Sequence, residues 1–272
     1  VHEVISDAGT VSGYRRRRMG TGAVEVEYAH SRSRAAAAPT MGVFLVEIGR
    51  DPMFSRLADV LVPAVGRLTV TTDAGSVCAP GSIAVANHTS LADPAIVLAA
   101  LHRLGVEPVA MGAAGLWRIP LLGRALTREG YIPVYRRDPR AADALDLAAD
   151  ALARGRTVLI YAEGGIPVRK DAAEAAPGEF RSGLTRLAAR TGAPVVPVGQ
   201  AGARRVTSGG TAKQLAGLFT APLRRPALHV HVGAPLSLTA DHTANTRQAH
   251  AAVTAAWRTA AARLGEPAAL AA

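Results

Sequence analysis

Short apolar runs alternate along this chain with longer segments in which apolar residues recur every three or four positions, the pattern of strands alternating with amphipathic helices. Leu68 to Thr72, Ile83 to Ala86, Pro108 to Met111, Thr157 to Tyr161, Pro194 to Val198 and Ala227 to Val232 read as strands. Phe54, Leu57 and Leu61 have helical spacing, with Arg56 and Asp59 turned to another side, so an amphipathic helix precedes the first of these strands. Further helices are expected over 91–104, 138–155, up to Arg190, near 212–218 and over 243–264. The Thr157 to Tyr161 run is β-branched and apolar throughout, as a strand covered on both faces is. The alternation predicts an α/β fold: a mostly parallel sheet flanked by helices on both faces, with an N-terminal amphipathic helix. Residues 1–40 show no periodicity and carry Arg15 to Arg18 as one block, which predicts a disordered basic tail or a misplaced start, with Met19 or Met41 as the true beginning. Residues 41–272 read as one domain.

One junction stands out. GSIAVANHTSLADP, from Gly81 to Pro94, is a strand that feeds a helix through a very short polar turn. In an open α/β sheet such a turn lies at the carboxyl edge of the strands, where ligands bind. His88 and Asp93 are five positions apart, about 140° on an ideal helix, so they meet only if the turn is not yet helical. Ser90-x-x-Asp93 has the form of a capping box, and Asp93-Pro94 offers instead an aspartate N-cap with proline at the first helical position. In either case Asp93 sits in the first turn, from which its carboxylate reaches back to fix the imidazole tautomer of His88.

Composition narrows the choices. The single cysteine, Cys78, excludes an internal disulfide framework or a cysteine metal cluster, and no metal site is expected. The net charge of +10 calls for an anionic surface or partner, but basic residues interleaved with aromatics, as nucleic acid requires, are absent. No apolar run reaches the 18 or so residues of a membrane span, so any membrane contact is peripheral. There is no Gly-x-Ser-x-Gly elbow, Walker A loop or dinucleotide fingerprint.

NHTSLAD resembles the His-x4-Asp motif of the glycerolipid acyltransferases, the family of lysophosphatidic acid acyltransferase, and three later blocks follow in that family's order. GLWRIPLLGRALTREGYIPVYRR, ending in Arg136 and Arg137, is similar to its second region; YAEGG resembles Phe-Pro-Glu-Gly-Thr-Arg; Phe180-Arg181-Ser182-Gly183 and Pro194 to Val198 resemble its last helix and strand. The resemblance covers roughly 50–264 and implies acyl transfer from acyl-CoA or acyl-carrier protein, without a cofactor, to the hydroxyl of a lysophospholipid such as 1-acylglycerol-3-phosphate. His88 would be the general base oriented by Asp93, with oxyanion donors from backbone N–H groups near the helix start. Asn87, Ser90, Arg136, Glu163, Gly164 and Arg181 would bind substrate. The enzyme would be cytoplasmic and peripheral on the inner face of the cell membrane, in contact with anionic lipid and not nucleic acid. The chain departs from the family at Ala113 and Gly115, in place of lysine and glutamate, at Tyr135, in place of aspartate, and at Ala162, Gly165 and Ile166. Since Ile166 stands where the family has its arginine, Arg136, Arg181, Arg169 or Lys170 would have to hold the phosphate. The alternatives are a silent member that binds acidic phospholipid or another polyanion, and an acyltransferase with a non-phosphate acceptor.

Overall fold

The computed structural model describes residues 53–266 apart from 75, 77, 137, 168–172 and 239–240, together with the backbone of three strands nearer the N-terminus. Those are β1 (His2–Ile5), β2 (Val11–Arg18) and β3 (Val24–His30). From residue 53 the elements run α1 (Met53–Val65), β4 (Arg67–Thr72), β5 (Ile83–Ala86), α2 (Asp93–Arg103), β6 (Val109–Ala113), α3 (Pro120–Glu129) and β7 (Ile132–Val134). They continue with α4 (Asp143–Ala153), β8 (Val158–Tyr161), α5 (Gly183–Thr191), β9 (Val195–Ala201), α6 (Thr211–Arg224), β10 (Ala227–Val232) and α7 (His242–Arg263).

The sheet order is β1-β2-β3-β4-β10-β9-β5-β8-β6-β7. From β4 to β7, five of the six neighbouring pairs are parallel, and β9–β10 is the antiparallel one. The connection through α6 packs beside α1 and returns β10 in the direction opposite to β9. Period-two alternation sends successive side chains to opposite faces. Ala84, Ala86, Leu159, Val196 and Val198 face a core shared with α1, α2 and Ala221 of α6. Ile83, Val85, Val158, Ile160 and Val195 face another built with α4, α5 and α7. Helices therefore cover both faces. A Cβ on Gly199 would come within 2.0 Å of the Ala256 carbonyl carbon, so β9 and α7 touch backbone to backbone there.

Two expectations change. The helix expected near 212–218 runs the full length of Thr211–Arg224: it carries Pro222 in its last turn at the loss of one intrahelical hydrogen bond, while Ala221 beside it is buried in the core shared with α1 and α2. Residues 1–40, expected to be without regular structure, include the strands β1, β2 and β3, and β3 pairs antiparallel with β4. β4 would otherwise leave an open sheet edge, and Val24, Val26 and Tyr28 alternate with Glu25 and Glu27 as a strand's residues do.

On the face of β10 away from Leu228, Val230 and Val232, two buried histidines form a polar chain with β4. His229 shares hydrogen bonds with Thr69 (2.6 Å) and Thr71 (2.9 Å), Thr71 bonds His231 (2.9 Å), and His231 Nε2 lies 3.2 Å from Asp73. Burial, reinforced by Arg263 and His231, pulls the His229 pKa down from 6.5 to about 4. Since the folded value lies below the unfolded one, stability is complete above about pH 6.5 and is lost as pH falls through 4. Comparing urea unfolding at pH 7 and about pH 4.5, His229→Gln should remove about 2 kcal/mol of the pH dependence seen in the wild type. Equal pH dependence in both proteins would show that His229 is not buried neutral.

Candidate active site

Parallel register assembles the site. Ala86 of β5 aligns with Tyr161 of β8 and Val198 of β9, so the residues just past those positions emerge side by side at one edge: Asn87-His88, Ala162-Glu163 and Gly199-Gln200. Asp93 is the first residue of α2, with Pro94 next to it; Ala92, and not Ser90 or Asp93, is the N-cap, and of the expected capping box only the bond from Ser90 N to the Asp93 carboxylate forms. Its carboxylate folds back over the turn that precedes it.

That carboxylate is fully buried and has four donors. Oδ2 accepts from Thr89 N (2.5 Å) and Ser90 N (2.8 Å) and lies 3.0 Å from His88 Nδ1. Oδ1 accepts from Gln200 Nε2 at 2.8 Å. Burial pushes the Asp93 carboxyl above its usual range, while His88 and the N–H groups of Ser90 and Thr89 pull it back. An ionised carboxylate accepts only, so a ring of four donors fits the charged form. With Nδ1 turned to Asp93, the His88 proton sits there and Nε2 is left to act on a ligand.

A second carboxylate holds the turn from β8. Glu163 Oε1 accepts from His88 N (2.7 Å) and Oε2 from Gly178 N (2.9 Å), and its carboxyl is raised by burial against those two N–H groups. Tyr161 lays its ring against the imidazole, with centroids 4.4 Å apart and planes at 31°. The backbone turns at Gly164 with φ of +73°, a conformation that favours glycine.

Several expected ligand contacts are occupied by the protein itself. Asn87 closes its side-chain amide on the Gln200 backbone, donating to O (3.1 Å) and accepting from N (2.8 Å). Ser90 Oγ bonds Thr207 O at 2.8 Å and Thr207 Oγ1 at 2.5 Å. Both residues are buried, so they tie the site together and do not face a ligand. Glu163 likewise holds backbone N–H groups. The N–H groups expected to stabilise an oxyanion are committed too: His88 to Glu163, Thr89 and Ser90 to Asp93, and Ala92 to Ser90 Oγ. Arg181 does not offer its N–H to an anion, since that group bonds Ala162 O at 2.9 Å.

The side chains of Arg181 and Arg136 do converge on the glycine turn. A Cβ on Gly164 would meet Arg181 Nε at 2.8 Å, and one on Gly165 would meet Arg136 Nη1 at 3.4 Å. Both arginines are exposed and lie beside the residue that holds His88. Arg169 and Lys170 lie outside the described residues.

Two contributors escape a reading of the sequence. Gln200 is fully buried at the end of an all-buried strand, and a buried amide needs partners, which is the signal that could have marked it. Arg204, which looks like a basic loop residue, is buried instead and donates to Ala173 O (2.6 Å) and Thr89 O (3.1 Å), clamping the far side of the histidine turn.

Comparison with known proteins shows what the chain is similar to. The Acyltransferase family model matches residues 67–200, which contain all four motif blocks. A chloroplastic 1-acyl-sn-glycerol-3-phosphate acyltransferase of Brassica napus is 30% identical over 128 residues, 47% of this chain and 35% of that protein. One from Arabidopsis thaliana is 29% identical over 131 residues, 48% of this chain and 34% of that protein. This chain thus spans about a third of the length of these relatives. In fold it is similar to the crystal structure of the 1-acyl-sn-glycerophosphate acyltransferase PlsC from Thermotoga maritima, with a TM-score of 0.55 at 18% identity over 78% of this chain and 77% of that one. With the motif blocks in order on a fold of the same kind, the chain resembles the acyltransferase family that includes the 1-acylglycerol-3-phosphate enzymes over residues 67–200, just under half of its length.

Proposed function

We propose that the protein moves a fatty acyl group from acyl-CoA or acyl-carrier protein to the hydroxyl of a lysophospholipid such as 1-acylglycerol-3-phosphate. The observation that carries this reading is the His88–Asp93 pair, 3.0 Å apart at the carboxyl end of β5, with Asp93 held by donors on both oxygens. His88 Nε2 takes the proton of the acceptor hydroxyl as its oxygen attacks the thioester carbonyl. The tetrahedral adduct then collapses, the C–S bond breaks, and the departing thiolate receives the proton from the imidazolium. Asp93 stabilises that imidazolium without taking its proton. The phosphate of the acceptor is met by Arg136 and Arg181 at the Gly164-Gly165 turn, where charge-assisted bonds to guanidinium are strong.

A lipid acceptor is delivered from a membrane, and α1 and α6 form a face suited to one. No helix among the described residues is long and apolar enough to cross a bilayer. α6 nevertheless exposes Leu215, Leu218, Phe219 (78%) and Leu223 (89%) beside Leu57, Val60 and Leu61 of α1. Arg225, just past α6, donates to Pro63 O at 3.1 Å and binds the two helices together. α6 contains no acidic residue, and Lys213, Arg224 and Arg225 flank its apolar side. Apolar side chains bordered by cations fit an anionic bilayer surface. This supports peripheral contact with an anionic membrane.

In a thioester-release assay with a lysophospholipid acceptor, His88→Ala should lower turnover by about 10² to 10⁴. Gln200→Leu should lower kcat by about tenfold, the worth of one charge-assisted bond, with both KM values little changed. Turnover that does not depend on His88 would place the base elsewhere, and none at all would favour a silent lipid-binding member. Arg136→Ala should raise the acceptor KM tenfold or more, for a contact worth about 1.5 to 3 kcal/mol, and Arg181→Ala should follow it. A phosphate-free alcohol acylated as well as the phosphorylated acceptor would refute that placement. In flotation with vesicles, binding should require anionic lipid and should weaken in Phe219→Ser/Leu223→Ser; equal binding to neutral vesicles would remove the electrostatic part of the argument.

A further inference from the structure

Beyond the carboxyl ends of β6 and β7 lies a pocket of about 340 Å³ lined by Ala113, Ala114, Gly115, Arg118, Tyr135, Arg136, Asp138 and Arg140, with Val134 at its base. Its space comes from the small residues at 113–115, two of which stand where the resembled motif carries lysine and glutamate. It also shares a wall with the glycine turn. Arg136 lines the pocket while its guanidinium approaches Gly165, two residues from the carboxylate that holds His88.

A phosphomonoester resting between Arg136 and Arg181 would leave this space to about ten water molecules, at about 30 Å³ each. The lining describes what would replace them. Arg140 is paired with Asp138 through two hydrogen bonds (Nε to Oδ1, 3.0 Å; Nη2 to Oδ2, 2.8 Å), and its guanidinium lies 4.1 Å from the centre of the Tyr135 ring. Those contacts pair the charge of the exposed Arg140 with the Asp138 carboxylate. A second phosphate would face the Asp138 carboxylate, whereas a hydroxyl can accept from a guanidinium and donate to a carboxylate.

We infer that the pocket seats the part of the acceptor beyond its phosphate, so that the preferred acceptor is a lysophospholipid whose phosphate is esterified to a hydroxyl-rich alcohol such as glycerol or inositol. This rests on the acyl-transfer reading above and names its acceptor class. Arg136 and Arg181 hold the single charge of the diester, Arg118, Asp138 and Arg140 meet the hydroxyls, and Ala113 and Gly115 leave the room.

The test compares lysophosphatidylglycerol and lysophosphatidylinositol with lysophosphatidate of the same acyl chain, using one thioester donor. The diesters should have kcat/KM at least tenfold above the monoester. Gly115→Glu and the uncharged Gly115→Met should each cut that ratio tenfold or more. A Cβ at position 115 meets nothing within 4 Å, so these side chains enter open space and the fold survives. A ratio of one or less, a ratio that neither variant moves, or an effect that falls on the donor KM overturns the inference; the last would assign the pocket to the donor. If no acceptor is acylated, the acyl-transfer reading fails, and calorimetry with soluble headgroups decides the pocket separately. Glycerophosphoinositol should then bind at least tenfold tighter than glycerol 3-phosphate, with the difference lost in Gly115→Glu. Equal binding, or none, overturns the pocket assignment as well.

Discussion

A buried carboxylate without donors is among the most costly groups a fold can contain, and much of this site's architecture answers that cost at Asp93. Its donors come from two parts of the chain: the imidazole of His88 with the backbone of Thr89 and Ser90, and Gln200 more than a hundred residues later. They can converge only if β5 and β9 are parallel neighbours in the observed register, since a shift of one residue would turn Gln200 to the other face. Sheet pairing and the electrostatics of one side chain are thus parts of the same constraint. Removing a single donor would leave the charge under-satisfied, at a cost of about 1 to 3 kcal/mol.

The backbone around His88 is held as firmly as its side chain. Glu163 fixes the His88 N–H, Asn87 locks the end of β5 to β9, and Arg204 fixes the Thr89 carbonyl. These groups approach from β8, β9 and the segment after β9, so the turn cannot relax toward the helix that would part His88 from Asp93. Tyr161 adds a packed face to the ring, leaving the imidazole little freedom except to present Nε2 outward. In the proposed reaction, such preorganisation would lower the reorganisation required when the imidazole gains a proton.

Much of this was legible from the sequence because it is local. The apolar run ending at Asn87-His88 marked a strand edge, and the spacing of Ser90, Asp93 and Pro94 marked a helix start with a carboxylate in its first turn. What could not be read depends on distant partners. Asn87, Ser90 and Glu163 looked like ligand contacts because they are polar and lie at a strand edge, yet their partners are backbone groups up to 117 positions away. Arg204 looked like a solvated loop charge because its neighbours are basic and glycine-rich, and only the fold shows it buried against Thr89 and Ala173. The strands β1 to β3 were missed because their residues are largely polar or basic, and only the pairing of β3 with β4 shows where the alternation of Val24, Val26 and Tyr28 belongs.

Most departures from the resembled motifs fall on one side of this framework; Ala162, buried in the core just before Glu163, is the exception. Ala113, Gly115, Gly165 and Ile166 contribute none of the hydrogen bonds that hold Asp93 or the His88 backbone, and Ala113 and Gly115 line the pocket beyond Arg136. His88 is held by strands β5, β8 and β9 and their immediate ends, while the side proposed to face an anion is made by exposed arginines and by glycines that leave them room. Among the described residues the two sides meet at the 162–165 turn, so the ligand side can be rebuilt without removing the donors of Asp93. On the proposed reading, changes at 113, 115, 165 and 166 bear on which headgroup is held, and the hydrogen bonds that would prepare His88 for proton transfer remain in place beside them.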